Sequence, residues 1–156
     1  MNLQVKQKQV GFFGNITLKR IRATMEFGII KIGDLGGWIE KEENLSHKGD
    51  AWVYGNAEVW GNAKVYGNAE VYGNAEVFSI SHVLVIGPIG SRNDFTTFFR
   101  DKDSEITVKC GCFLGKIDKF LEKVSGTHGD SKYAIVYRSA VEIAKQQIDL
   151  SEKKQL

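Results

Sequence analysis

Val53-Tyr-Gly-Asn-Ala-Glu, Val59-Trp-Gly-Asn-Ala-Lys, Val65-Tyr-Gly-Asn-Ala-Glu and Val71-Tyr-Gly-Asn-Ala-Glu follow one another without a break, and Val77-Phe78 opens the next unit. The period is six. Gly-Asn suits a turn that needs positive φ, because neither residue suffers the full Cβ penalty there. The other four residues then form the strand. Alternation along it sends Ala57 and Val59 to one face, with Glu58 and Trp60 on the other. The pairs Ala63/Val65, Ala69/Val71 and Ala75/Val77 repeat this pattern. A chain that turns the same way at every Gly-Asn brings these valines to one axis, whereas hairpins of so short a period leave them little shared core. A looser frame extends back through His47-Lys-Gly-Asp-Ala51-Trp, Lys41-Glu-Glu-Asn-Leu45-Ser and Leu35-Gly-Gly-Trp-Ile39-Glu, giving about eight units between Leu35 and His82. In that frame His47 takes an inward position.

The pattern resembles the hexapeptide repeat of left-handed parallel β-helices, in which three units make a coil of about 18 residues, an exception to the right-handed crossover rule. Eight units are about 2.7 coils, a prism only about 13 Å tall at roughly 4.8 Å per coil. Both ends of so short a stack expose strand edges and must be capped. One coil apart, Tyr54 is expected over Tyr72 and Trp60 over Phe78, with Tyr66 on the third side. These outward rows predict the interface of a homo-oligomer or of a host partner protein, the alternative being that the chain's own flanking segments cover them. Glu58 also stacks on Glu76, which calls for water or a cation nearby.

Beyond the repeat the texture changes. His82-Val-Leu-Val-Ile-Gly87, Asp94-Phe-Thr-Thr-Phe-Phe-Arg100 and Glu105-Ile-Thr-Val-Lys-Cys110 read as three strands with hairpin links. Ile106, Val108, Cys110 and Cys112 share the apolar face of the third. Ile117, Phe120, Leu121 and Val124 then recur at helical spacing up to Ser125-Gly126, and a second helix starts after Asp130-Ser131. Before the repeat, strands are expected at Asn15–Ala23 and Gly28–Gly33. The expected fold is mainly β with an α+β C-terminal part: an N-terminal β cap (residues 1–34), a short left-handed parallel β-helix (35–82) and a β-β-β-α-α domain (83–156) that caps it. Lys19, Arg20 and Arg22 form a basic cluster, read as a solvated strand face.

Composition limits what such a molecule does. With 156 residues, 42% hydrophobic and 26% charged, the chain suffices for one ordinary domain or two small ones sharing a core. A net charge of +2 argues against general nucleic-acid binding. The first residues lack a signal-peptide core and no apolar run reaches membrane-spanning length, so a soluble protein of the cytoplasm is expected, without a membrane partner. Cys110 and Cys112 are too close to close a loop and are expected as reduced thiols.

Several runs carry a wider resemblance: Ile21-Arg-Ala23, Gly33-Asp-Leu-Gly-Gly-Trp-Ile-Glu-Lys-Glu-Glu-Asn-Leu-Ser46, the Tyr-Gly-Asn-Ala units, Ile86-Gly-Pro-Ile-Gly-Ser-Arg92, Cys110-Gly-Cys112 and Thr127-His-Gly-Asp130. Together they resemble a group of small phage- and prophage-encoded hexapeptide-repeat proteins, over nearly the whole chain after Leu18. The resemblance implies fold and viral origin, hence the cytoplasm of an infected bacterial host, and implies no activity.

The residues themselves suggest a ligand site at Gly87-Pro-Ile-Gly-Ser-Arg-Asn-Asp94. Backbone N–H groups around Gly87 and Gly90 are suited to an anion nest, Ser91 adds a hydroxyl and Arg92 a two-pronged grip on phosphate. Phe95 follows as a stacking surface for a base. The alternative is a tight hairpin in which Arg92 pairs with Asp94. Cys110, Cys112 and His128 have poor spacing for zinc, and a Cys/His/Asp130 nucleophile set is opposed by thiols on an apolar face. Hexapeptide folds also host acyltransferases that use a histidine base, for which only His47 and His82 are in range. The leading expectation is therefore a non-catalytic, phage-encoded counter-defence protein without cofactor or metal. It sequesters a phosphorylated, nucleotide-type immune signal or blocks a host defence protein, with an acyltransferase-like enzyme as the alternative.

Overall fold

A computed structural model describes residues 4–11 and 14–151. The described residues are mainly β, with two α-helices toward the C-terminal end. Strands β1 (Val5–Val10) and β2 (Gly14–Arg22) form an antiparallel hairpin, and β2 pairs in turn with β3 (Leu35–Ile39). The repeat supplies four two-residue strands: β4 (Trp52–Val53), β5 (Glu58–Val59), β6 (Glu70–Val71) and β7 (Glu76–Val77). β4 lies parallel to β6, and β5 to β7, each residue pairing with the one 18 places on. The chain therefore returns beneath itself after three hexapeptides.

Each turn of the repeat is closed the same way. The alanine N–H donates to the aromatic residue's carbonyl three positions back, at 3.0–3.2 Å for Ala57, Ala63, Ala69 and Ala75. The glycines Gly55, Gly61 and Gly67 sit at φ near +60°, while the asparagines that follow have negative φ. Positive φ at the first central position alone is the requirement of a type II′ turn, which any side chain but glycine's resists. Valines and alanines then face inward, and Val53, Val59, Val65, Val71 and Val77 are fully buried in one cluster with Ile39 and Leu45.

One part of the expected frame is corrected. Trp38 and Ile39 pair with Glu58 and Val59, and Leu45 pairs with Val65, offsets of 20 residues instead of 18. The two extra residues fall between Leu45 and Ala51, so Leu45 takes the inward place and His47 is extruded to the exposed surface. Asn44 holds this joint: buried, it donates to the carbonyls of Gly61 and Ala63 and accepts from the Lys41 N–H.

The second half is a four-stranded antiparallel sheet in the order β11-β10-β9-β8, from β8 (Val83–Ile89), β9 (Asp94–Arg100), β10 (Ile106–Cys110) and β11 (Phe113–Lys116). Alternation splits its side chains between two cores. Val83 and Phe99 enter the repeat core, whereas Phe98, Ile106 and Val108 pack beneath α1 (Ile117–His128) and α2 (Lys132–Gln147) with Phe120, Val124 and Val141. The sheet thus closes the lower end of the stack. An antiparallel bridge joins Ala75 to Asp101, and the Glu70 N–H donates to Thr97 Oγ1 at 3.0 Å.

Other expectations need revision. Gly28–Gly33 is a turn around a Phe27–Ile30 bridge, with Gly28 and Gly33 at positive φ, not a strand. β1 and β11 were not expected. Cys112 leaves the apolar face because Gly111 (φ +56°) turns the chain there, and it is exposed. α1 runs through Ser125-Gly126 and Thr127-His128 to stop at Gly129, and Ser131 precedes α2 without a side-chain capping bond. Among the described residues, no helix is long and apolar enough to cross a membrane.

Candidate functional site

The β8–β9 turn is built by close approach. Gly90 has φ +80°, and a Cβ there would lie 1.9 Å from Tyr137 Oη, so only glycine lets the turn rest on α2. The Asn93 N–H donates to the Gly90 carbonyl at 3.2 Å, and Asp94 Oδ1 accepts from the Phe95 N–H at 2.7 Å. Gly87 has a different task from the one expected: a Cβ would lie 2.6 Å from the Phe95 ring, so it accommodates packing and lines neither cleft described below.

Between this turn, the β10–β11 turn and the two helices lies a cleft of about 300 Å³. Ser91, Arg92, Lys123 and His128 bring polar groups to it, over a floor that includes Phe120 and Tyr137. Asp94 is its one carboxylate among the described residues. His128 stacks on Tyr137 with ring centroids 5.7 Å apart. Burial, together with Cys110 and Asp94, pushes the Tyr137 hydroxyl up to about 12 against the opposing pull of Arg92, so it remains a proton donor at neutral pH. Cys110 donates weakly to Tyr137 Oη at 3.8 Å.

The sequence-expected residues divide. Ser91 and Arg92 share this cleft with Cys110, Cys112 and His128. Phe95 does not join them, because alternation along β9 turns it toward the repeat; Phe98, on the helix side, is fully buried core. Asp130 does not line the cleft and pairs with Arg138 at 3.6 Å, so the expected set of Cys, His128 and Asp130 is not brought together. Among the described residues no group of three or more His, Cys, Asp or Glu is placed to hold a metal ion. Lys123 and Tyr137 were missed. Helical spacing marks their neighbours Phe120 and Val124 as core, but which flank of the helix overhangs a turn depends on tertiary packing.

A second cleft, of about 460 Å³, shares Asp94 and Gly111 with the first and opens on the repeat side. Phe27, Tyr54, Tyr72 and Phe95 give it aromatic walls. Tyr54 and Tyr72 stack as expected, centroids 4.1 Å apart and rings within 8° of parallel.

The outward row on the first side is corrected. Trp60 stacks on Phe78 at 5.0 Å, yet the two are only 2% and 7% exposed, because the β1–β2 hairpin folds over them with Val10, Ile16 and Leu18. Buried within the chain, they offer little surface to a partner. Tyr54, Tyr66 and Tyr72 remain half-buried, Tyr66 donating to the Val83 carbonyl at 3.3 Å. The hairpin also supplies the cation that the glutamate stack needs: Glu58 lies 2.5 Å from Lys6 and 2.6 Å from Lys8, and Lys8 lies 3.7 Å from Glu76. An acyltransferase base is not in evidence at His82, which is fully buried and accepts the Phe78 N–H at Nδ1. Neither a protein-family model nor a curated protein matches this chain.

Proposed function

We propose that this is a non-catalytic binding protein that sequesters a small phosphorylated ligand of nucleotide or ADP-ribose type in the Arg92 cleft. The observation that carries the reading is the lining of that cleft, where Arg92, Lys123, His128 and Ser91 face a single carboxylate. Guanidinium and ammonium groups over a partly apolar floor suit phosphate attached to an organic body. The 18-residue parallel pairing supports a repeat wound as a short left-handed β-helix. Phage origin rests on the resemblance of the Gly33–Ser46 and Ile86–Arg92 runs, and the counter-defence role is proposed from that origin together with the cleft. Assembly as a homo-oligomer belongs to the same reading, with half-buried Tyr66 replacing Trp60 at the contact.

The test is a thermal-shift series with cyclic dinucleotides and ADP-ribose on wild type and Arg92→Ala. A ligand at about 100 times its dissociation constant adds about 2.7 kcal/mol, roughly 5–11 °C for a domain of this size. Arg92 is exposed, so its loss is expected to abolish the ligand shift while moving unliganded stability by less than about 0.5 kcal/mol. Retained affinity in Arg92→Ala, or no shift with any phosphorylated compound, overturns the assignment.

A further inference from the structure

The second cleft has the opposite chemistry. The hexapeptide period places Tyr54 and Tyr72 one coil apart, and their stacked rings line it together with Phe27 and Phe95. Asp50, Glu70 and Asp94 also line it, against one cation among the described residues, Lys109. Pairing of β10 with β9 sets Lys109 opposite Thr97, and this register brings its ammonium over the Tyr72 ring, 5.2 Å from the centroid and 3.7 Å from the Glu70 carboxylate. Lys109 also donates to the Gly111 carbonyl.

We propose that this aromatic-walled cleft binds a small organic cation bearing an alkylammonium group. Ring faces carry negative quadrupole charge and attract cations, the more so where water is partly excluded. The protein's own ammonium already takes up that interaction at Tyr72, while the cleft beside it leaves about 460 Å³ open. The local field agrees. Burial first, and then the charge of Glu70, push the hydroxyls of both Tyr54 and Tyr72 above the ordinary phenol value, with Asp50 adding to the effect at Tyr54. Burial disfavours any charge, whereas the contributions of Glu70 and Asp50 mark a negative potential that repels phosphate and carboxylate and favours ammonium. This inference uses none of Arg92, Lys123 or His128, so it stands or falls separately from the phosphate reading.

The experiment is calorimetric titration of the full chain with choline and with its neutral carbon isostere, dimethylbutanol. Choline is expected to bind and dimethylbutanol not, because the two match in shape and differ in charge. Glu70→Gln is expected to weaken choline several-fold, and Lys109→Met, which removes the competing resident cation, to tighten it several-fold. Equal binding of the two probes reduces the cleft to an apolar hollow and overturns the proposal. Absence of choline binding in both wild type and a folded Lys109→Met variant overturns it too. Glu70→Gln keeps the Lys109 register, so the charge dependence is read even if Lys109→Met fails to fold.

Discussion

Trp60→Ala separates a side chain that holds one chain together from one that joins two. Trp60 is 2% exposed within a single chain, with Val10, Ile16, Leu18 and Phe78 in the same cluster and Lys8 over its ring at 4.9 Å. Truncating a buried aromatic of this size costs about 3–5 kcal/mol in lost transfer energy and cavity formation. For a domain of this length that lowers the melting temperature by roughly 6–20 °C. The assay is thermal unfolding followed by circular dichroism at two protein concentrations a hundredfold apart. Since hairpin and repeat belong to the same chain, the loss is expected to be equal at both concentrations. Leu18→Ala, fully buried in the same cluster, should combine with it less than additively, because both changes empty one cavity. A loss below about 1 kcal/mol, or one that depends on concentration as subunit dissociation does, refutes the reasoning.

Glu58 predicts a pH dependence. Burial alone would raise its pKa, but Lys6 and Lys8 outweigh burial and hold the carboxyl below the ordinary carboxylate value. A group depressed in the folded state contributes stability above its unfolded pKa of about 4.3 and loses it as pH falls through the folded value. Wild type should therefore exceed Glu58→Gln in melting temperature at pH 7, with the gap closing below about pH 4; a gap independent of pH refutes the ion-pair account. Two glycines predict opposite signs. Gly90→Ala meets positive φ and the Tyr137 hydroxyl and should cost about 1–3 kcal/mol. Gly126→Ala, exposed inside α1 with nothing within 4 Å, should stabilise by about 0.5–1 kcal/mol. Chemical denaturation of the pair checks both.

The periodic part of the molecule was legible because its physics is local. A glycine every six residues dictates the turn, and alternation dictates what the turn buries, so Val59 and the Tyr54–Tyr72 stack follow from the sequence. The looser units escape the six-residue frame because two residues inserted between Leu45 and Ala51 leave no composition signal; the pairings of Trp38, Ile39 and Leu45 with residues 20 places on reveal them. Trp60 and Phe78 were legible as a stack but not as a covered one, since alternation places a side chain outside its own coil without saying what lies over it. At the candidate site, Ser91 and Arg92 could be picked by type. Lys123 and Tyr137 could not, because the Gly90 turn meets α2 through contacts 47 residues apart. Phe95 was misassigned for a simpler reason: along β9 it alternates with Phe98, and the face it takes belongs to the other core.

Lys8 spans two levels of the stack, touching Glu58 and Glu76 at once, and this bears on how the chain can grow. Repeats of this kind lengthen when a stretch of coding sequence is copied in tandem. A copy of the Glu58–Glu76 segment would add a further carboxylate to the same column, to which β1 brings Lys6 and Lys8. Each added level would bring like-charge repulsion that a further cation or water has to offset. The charge that the N-terminal hairpin supplies is thus matched to the two glutamates it already meets.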